Sequence, residues 1–215
     1  MGSPDFQEEE KLKYLVEGMK LYMQAGVDFL EINESCPNTS HGRPQDDNMT
    51  HRLKYIKEQF LDHRIRRLPV VVKFSNDTET KQLPALLDII FELGYDGVNF
   101  GNTSIDYARR KEKIESNDRK LFDFYVQTFG GGISGRPLRE SSLELAGRAV
   151  EYKRAGPPSQ EFHVIRTGGI ESLDDIQESE RAGISLNQWY TGYFENFSKC
   201  GHNVYKKLFG NYKHL

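Results

Sequence analysis

Five short runs, four of them predominantly apolar and each followed by small polar residues, constrain the fold of this chain more than any other feature. Apolar runs of this length that are rich in Val, Ile and Phe are typical of buried strands. They predict strands at residues 27–32, 69–74, 98–100, 162–167 and 185–190. No Asn-Gly turn signal joins any two of them, so we do not expect antiparallel hairpins.

Amphipathic segments alternate with these apolar runs. Hydrophobic residues at helical spacing predict helices at 8–24, 49–64, 81–93, 138–154 and 173–182, and a final helical segment through 208. Such alternation favours a parallel sheet in an α/β fold, and right-handed crossovers place every strand's carboxyl end on one side. We therefore expect a single domain over 1–215 whose polar strand ends converge on one face, where ligands bind in α/β proteins.

Composition excludes several classes of function. The 215 residues carry a net charge of −3 with both signs interspersed, whereas a nucleic-acid binder usually shows a basic stripe. Two distant cysteines make no disulfide framework and fit an intracellular, reducing compartment. No apolar run approaches the ~20 residues of a membrane span, and the start of the chain lacks a signal-peptide core. Cytoplasm and mitochondrion both stay open, and membrane association is undecided.

The first predicted strand ends in the polar stretch Asn33–Thr39, which contains Cys36. A thiol at a strand end can serve as a base or nucleophile when its pKa is tuned, and the neighbouring amides can bind a ligand. The alternative interpretation is an inert, half-buried cysteine in a turn. The residues by themselves leave both open.

Lysine and glycine positions after later strands indicate an anionic ligand. Lys73 ends an apolar strand, and we interpret it as a cation directed into a pocket rather than as an exposed strand end. The glycine-rich segment 130–138 and the pair Gly168 and Gly169 allow close approach of a backbone to an anion. Glycine-rich turns after the last strands of an α/β barrel typically bind phosphate.

A long charged connection spans residues 105–129. Its length is uncommon for a plain loop, and it predicts a lid-like insertion. Residues 121–129 within it are rich in aromatic side chains, which we interpret as a strand pair or a lid hairpin.

Six motifs, in this order, resemble those of the dihydroorotate dehydrogenase family, flavin enzymes of de novo pyrimidine (UMP) synthesis. They are NESCPNT at 33–39, VVVKF at 70–74, DGVNFGNTS at 96–104, SGRPL at 134–138, TGGI at 167–170 and AGISLNQWYTG at 182–192. The resemblance covers almost the whole chain. It implies a TIM (β/α)₈-type barrel that binds FMN and oxidises dihydroorotate to orotate.

The resemblance also implies roles for individual residues. Cys36 matches the base that takes a proton from C5 of dihydroorotate while the hydride from C6 goes to the flavin. FMN contacts are implied at Asn33, Lys73, Gly101, Gly135, Gly168, Gly169, Tyr190 and Thr191. Substrate contacts are implied at Asn33, Asn38, Asn102 and Thr103. The resemblance implies no metal.

The chain departs from the family pattern in three respects. The SGRPL motif resembles the membrane-associated, quinone-using class, whose base is serine, whereas Cys36 resembles the soluble class; the electron acceptor, quinone or fumarate, is therefore open. Five predicted strands match only strands 4–8 of the family barrel, so we expect an incomplete barrel. Arg166, where the family prefers glycine, and the polar Asn99 in a strand indicate some drift.

An incomplete barrel would expose a sheet edge, and we expect a partner chain or a homo-oligomer to cover it. Two alternative functions remain beside a dihydroorotate dehydrogenase. One is a related FMN-dependent pyrimidine reductase. The other is an inactive, truncated relative that serves as a structural or binding subunit.

Overall fold

The computed structural model describes residues 9–34 and 49–210. Two residues with predicted roles, Cys36 and Asn38, lie outside these ranges. The strands are β1 (Leu30–Asn33), β2 (Val70–Ser75), β3 (Gly97–Asn102), β4 (His163–Thr167) and β5 (Leu186–Gln188). The helices are α1 (Glu9–Gln24), α2 (Met49–Gln59), α3 (Leu83–Glu92), α4 (Tyr107–Lys111), α5 (Arg119–Phe129), α6 (Arg139–Ala155), α7 (Leu173–Arg181), α8 (Thr191–Cys200) and α9 (Val204–Phe209).

The five strands form one parallel sheet in the order β1-β2-β3-β4-β5, which confirms the predicted α/β class. Each connection between neighbouring strands contains at least one helix. Among the described residues, β1 pairs with β2 alone and β5 with β4 alone, so these two strands form the outer edges of the sheet.

The sheet is curled like a barrel wall. The Gln188 side-chain amide in β5 donates to a carboxylate oxygen of Glu31 in β1 at 2.9 Å. These two strands lie at opposite ends of the sheet, so a flat sheet could not bring the two side chains together. The structure is therefore consistent with the predicted part of a TIM barrel.

Alternation along β1, β2 and β3 separates an apolar outer face from an inner face that carries polar side chains. Val70, Val72 and Phe74 of β2 are almost fully buried, and they share one apolar cluster with residues of α1, α2 and α3. Lys73, between them, points to the opposite side of the sheet, where it meets Glu31. The core therefore lies between the sheet and its helices, and the inner face is left for polar groups.

The insertion at 105–129 contains two helices, α4 and α5. The predicted strand pair or hairpin at 121–129 is therefore wrong. Hydrophobic residues recur there at a spacing of three to four positions, which is the period of a helix rather than of a strand. No residue of α5 is buried, and its aromatic side chains Phe124, Tyr125 and Phe129 contact one another at the surface, with Phe124 edge-to-face against both of the others.

Other differences concern the ends of elements. The first strand begins at Leu30 instead of residue 27, because Gly26 in the turn after α1 has a φ of 83° and the chain needs the next residues to reach the sheet. The predicted final helix is two helices, α8 and α9, joined by a short 3₁₀ turn at Gly201–Asn203. Gly201 has a positive φ of 54°, which ends α8.

Candidate functional site

A cavity of about 280 Å³ lies at the carboxyl ends of the strands. It is lined by loops that follow β3 and β4, by the segment before α6 and by the start of α8. Nine residues to which the sequence assigned roles line this one cavity: Lys73, Gly101, Asn102, Thr103, Gly135, Gly168, Gly169, Tyr190 and Thr191. The structure thus brings together residues from several separate motifs, while their roles remain predictions.

One end of the cavity is built from backbone. Gly135, Gly168 and Gly169 have positive φ values of 78°, 122° and 71°, a region that other residues rarely adopt. At Gly135 a Cβ atom would lie 3.0 Å from Cγ2 of Thr191. Helix α8 begins at Thr191, and the N–H groups of a first helical turn have no acceptor within the helix. Together these groups form a cradle suited to a phosphate.

Hydroxyl groups complete this end of the cavity. The Oγ atom of Ser134 and Oγ1 of Thr191 are 2.8 Å apart, which joins the segment before α6 to the start of α8. The sequence interpretation did not select Ser134, although it is the first residue of the SGRPL motif. Its position directly before a glycine of the glycine-rich segment 130–138 was the available signal.

The other end of the cavity is polar and charged. The Lys73 ammonium lies 3.1 Å from a carboxylate oxygen of Glu31 on the neighbouring strand, and both side chains are largely buried. Asn102 lines the cavity, and its side-chain amide donates to the side-chain oxygen of Asn33 at 2.9 Å. Asn33 therefore lies directly behind this lining residue. The Asn102 oxygen accepts from the Thr103 backbone N–H at 2.9 Å. This end offers a cation, amides and a hydroxyl to a ligand.

A hydrogen-bonded network inside the sheet supports Lys73. Asn99 donates to Glu31 at 2.7 Å and to Gln188 at 3.1 Å. The Thr167 hydroxyl lies 3.0 Å from both the Asn99 and the Gln188 side-chain oxygens. Sequence reasoning missed this network and interpreted Asn99 as drift. The available signal for this network was that several strands carry polar residues at alternate positions, because alternate side chains of a strand lie on the same face of the sheet.

Asn76 fixes two of the strand ends that form the cavity floor. Its side-chain amide donates to the backbone carbonyls of Asn102 at 2.6 Å and of Thr167 at 3.3 Å. Asn76 is 1% exposed, so these bonds are shielded from water. The loops after β3 and β4 are thereby held in register with the loop after β2.

A second cavity of about 510 Å³ adjoins the first and shares Ser134, Gly135 and Thr191 with it. The insertion forms its far wall, through residues of α5 and the segment before it. The Tyr107 hydroxyl donates to the Gly131 carbonyl at 2.6 Å, which ties the insertion to the glycine-rich segment. The lid role assigned to 105–129 stays a prediction.

Residues 6–209 match the family model described as dihydroorotate dehydrogenase. The chain belongs to the dihydroorotate dehydrogenase family. A "Dihydroorotate dehydrogenase (quinone)" of Rhodococcus erythropolis is 34% identical over 182 residues, which are 85% of this chain and 46% of that protein. The protein of the same name from Pectobacterium carotovorum is 32% identical over 195 residues, 86% of this chain and 52% of its own length.

Solved structures of the family have the same fold. A ligand-free dihydroorotate dehydrogenase from Eimeria tenella superposes with a TM-score of 0.74 over 97% of this chain and 58% of its own, at 23% identity. The ferulenol complex of the Eimeria tenella protein gives 0.68 over 85% and 49% of the two chains, at 24% identity. The chain thus spans about half the length of the curated relatives it matches.

The residues of the cavity fit FMN. The backbone cradle at Gly135, Gly168 and Gly169 suits the phosphate, since Cβ atoms there would crowd neighbouring atoms. Lys73 places an ammonium group on the wall of the same cavity. Tyr190, another predicted contact, is 72% exposed at the cavity rim.

Within the described ranges, no helix combines the length and apolar character that crossing a membrane requires.

Proposed function

We propose that this chain forms the cofactor-binding part of an FMN-dependent dihydroorotate dehydrogenase, which oxidises dihydroorotate to orotate. The observation that carries the proposal is the convergence of nine separately predicted residues on one cavity. A barrel strand end of this kind is where this fold places its active sites. Family membership supports the same assignment.

In this proposal the protein positions the reactants and handles one proton. FMN, when bound, supplies the acceptor for the hydride that leaves C6 of dihydroorotate. Cys36 takes the proton from C5 as general base, for which the thiolate form is needed. Asn33, Asn102 and Thr103, which hydrogen-bond to one another, orient the substrate, and Lys73 places positive charge beside the cofactor.

We propose a quinone as the electron acceptor. Curated relatives from Rhodococcus erythropolis and Pectobacterium carotovorum are named as quinone enzymes, and the SGRPL motif at 134–138 points to the same class. Cys36 in place of serine leaves fumarate as the competing acceptor. Parallel assays with a soluble quinone and with fumarate distinguish them, since a quinone-class site reduces the quinone faster.

The proposal is tested by flavin loading and by half-reactions in the absence of oxygen. We expect the purified chain, refolded or expressed with excess FMN, to retain a yellow chromophore and to be bleached by dihydroorotate. Cys36→Ala should bind FMN and lose the bleaching, because the base is removed while the cradle is intact. Cys200→Ala is the matched control, since Cys200 lies near the end of α8 and its thiol contacts the Asn196 carbonyl at 3.0 Å.

Three outcomes would contradict parts of the proposal. A chain that stays colourless with excess FMN, although folded, does not bind the cofactor through this cavity. Bleaching at the wild-type rate in Cys36→Ala would show that another group is the base. Equal losses in Cys36→Ala and Cys200→Ala would indicate general damage from cysteine removal rather than a specific role.

We also propose that residues 105–129 act as a lid. The insertion walls the cavity that adjoins the cofactor site, and basic residues in it make it a substrate for trypsin. FMN together with orotate should slow tryptic cleavage within 105–129, while cleavage at Lys206 in α9 serves as the internal control. Cleavage at unchanged rates would argue against a lid.

The outer edges of the sheet favour a second candidate, a chain that works as one subunit of an assembly. An edge strand in a parallel sheet presents backbone groups that another chain can pair with. Sedimentation analysis should then show a dimer or larger complex at micromolar concentration. A stable monomer with full flavin binding would contradict this candidate and leave the enzyme proposal intact.

A further inference from the structure

Arg166 is among the largest fully buried side chains of the protein, with 0% of its surface exposed. It lies in β4, where it pairs with Phe100 on one side and with Asn187 on the other. Its neighbour Thr167 lies on the inner face, so Arg166 points outward into the layer between the sheet and its helices. An arginine in such an apolar layer is costly unless its donors are satisfied.

The guanidinium donates four hydrogen bonds, and all four acceptors are uncharged oxygens. Nε donates to the Ser142 hydroxyl at 3.0 Å, and one terminal nitrogen donates to the Arg139 carbonyl at 3.0 Å. The other terminal nitrogen donates to the Asp175 carbonyl at 3.2 Å and to the Ser179 hydroxyl at 2.9 Å. Arg166 thus links the first turn of α6 to α7, on either side of the loop that follows β4.

The chain of contacts continues into that loop. Ser142, which accepts from Arg166, donates its own hydroxyl proton to the nearer of two carbonyl oxygens, that of Gly168 at 2.7 Å, while that of Arg139 lies at 3.1 Å. A carbonyl held toward the helices turns the next N–H, that of Gly169, to the opposite side of its peptide plane. Gly168, Gly169 and Ile170 line the cavity.

The same loop is held at its far end by Asp175. One oxygen of this carboxylate, in the first turn of α7, accepts from the backbone N–H groups of Glu171 and Ser172 at 3.0 and 2.9 Å. Its other oxygen lies 2.5 Å from Nε of Arg139. Burial lowers the pKa of the Arg166 guanidinium, and the nearby Asp175 carboxylate partly offsets this lowering. The loop is therefore fixed from behind, at both ends, by buried polar groups.

We propose that Arg166 is a positioning residue for the phosphate of the cofactor: through Ser142 it fixes the Gly168 peptide, so that backbone N–H groups of the loop 168–170 face the phosphate. The inference rests on the proposed function, since it concerns the cofactor of that site. It assigns a use to a buried arginine that touches neither cofactor nor substrate. Loss of the link should weaken the phosphate contact and spare the ring contacts.

The test compares FMN with riboflavin, which lacks the phosphate. Binding of each flavin is titrated by fluorescence quenching in the wild type, Arg166→Met and Ser142→Ala. We expect about three- to tenfold weaker FMN binding in both variants, the range that one misplaced hydrogen bond accounts for, and unchanged riboflavin binding. Leu145→Ala is the matched control, because Leu145 is a buried core residue of α6 whose loss destabilises the protein without touching the loop.

A second measurement does not need the cofactor. Amide hydrogen exchange in the flavin-free protein should become faster across residues 168–172 in Arg166→Met and Ser142→Ala, and not in Leu145→Ala. Exchange unchanged in these variants, or equal losses of FMN and riboflavin affinity, would overturn the inference. A wild-type protein that binds neither flavin would overturn the proposed function instead, and the exchange result would still decide whether Arg166 positions the loop.

Discussion

Gly169 offers a sharp test of how the phosphate loop is packed. Its φ is 71°, and a Cβ atom at this position would lie 2.5 Å from the backbone nitrogen of Arg139, at the start of α6. Gly94 is a matched control, because its φ is 75° while a Cβ atom there would meet nothing within 4 Å. Both Gly→Ala variants therefore strain the backbone equally, and Gly169→Ala alone adds an overlap.

The magnitudes follow from these two contributions. A non-glycine residue in the left-handed region costs roughly 1–2 kcal/mol. Overpacking against atoms that cannot move away adds about 1–3 kcal/mol, and the Arg139 backbone is such a neighbour because it belongs to a helix. We expect Gly94→Ala to lower the free energy of unfolding by about 1–2 kcal/mol and Gly169→Ala by about 2–5 kcal/mol.

Urea denaturation followed by circular dichroism measures both values, provided that the denaturant slope is unchanged between variants. The difference between the variants should also appear in FMN binding, since Gly169 lines the cavity and Gly94 does not. Equal destabilisation of the two variants would refute the close packing of the loop on α6. Unchanged FMN affinity in Gly169→Ala would argue against a phosphate at this loop.

Three further predictions concern buried polar groups. Burial, and to a lesser degree the charge of Glu34, raises the pKa of the Tyr95 phenol well above its usual value. Such a phenol stabilises the fold only while it is protonated. The free energy of unfolding should therefore fall as the pH rises above about 10, and it should fall less in Tyr95→Phe. Arg52→Met takes away the guanidinium that lies 2.6 Å from the buried Glu34 carboxylate, and should cost about 3–5 kcal/mol by urea denaturation. Thr167→Val removes a hydroxyl from two amide oxygens in the barrel interior, and should lower the thermal midpoint through a loss of about 1–3 kcal/mol.

Each of these has an outcome that would contradict it. Parallel pH profiles of wild type and Tyr95→Phe would mean that Tyr95 ionises as freely in the folded state as in the unfolded chain. A cost below about 1 kcal/mol for Arg52→Met is the value of an exposed pair and would be inconsistent with burial. A Thr167→Val protein with an unchanged midpoint would show that water replaces the hydroxyl in the network.

Local patterns in the sequence determined the helices and strands, and with them the order in which the site residues follow one another along the chain. Strands β1 to β4 were predictable because short apolar runs must be buried, and helical periodicity located α1, α3, α6 and α7 to within two residues at either end. Parallel strands put their carboxyl ends together, so the order of the elements alone was enough to place the polar residues after each strand on one face. The motifs at these strand ends then indicated the family.

Tertiary structure decided what long-range contacts control. Glu31 and Gln188 meet across the curled sheet although 157 positions separate them, and no local pattern encodes such a contact. Arg166 was interpreted as drift because the family prefers glycine there, yet residues of two helices, α6 and α7, accept its hydrogen bonds. Helix α5 was mistaken for a strand pair because its aromatic residues have high strand propensity. A helix forms its backbone hydrogen bonds within its own segment, so this exposed insertion needs no partner strand.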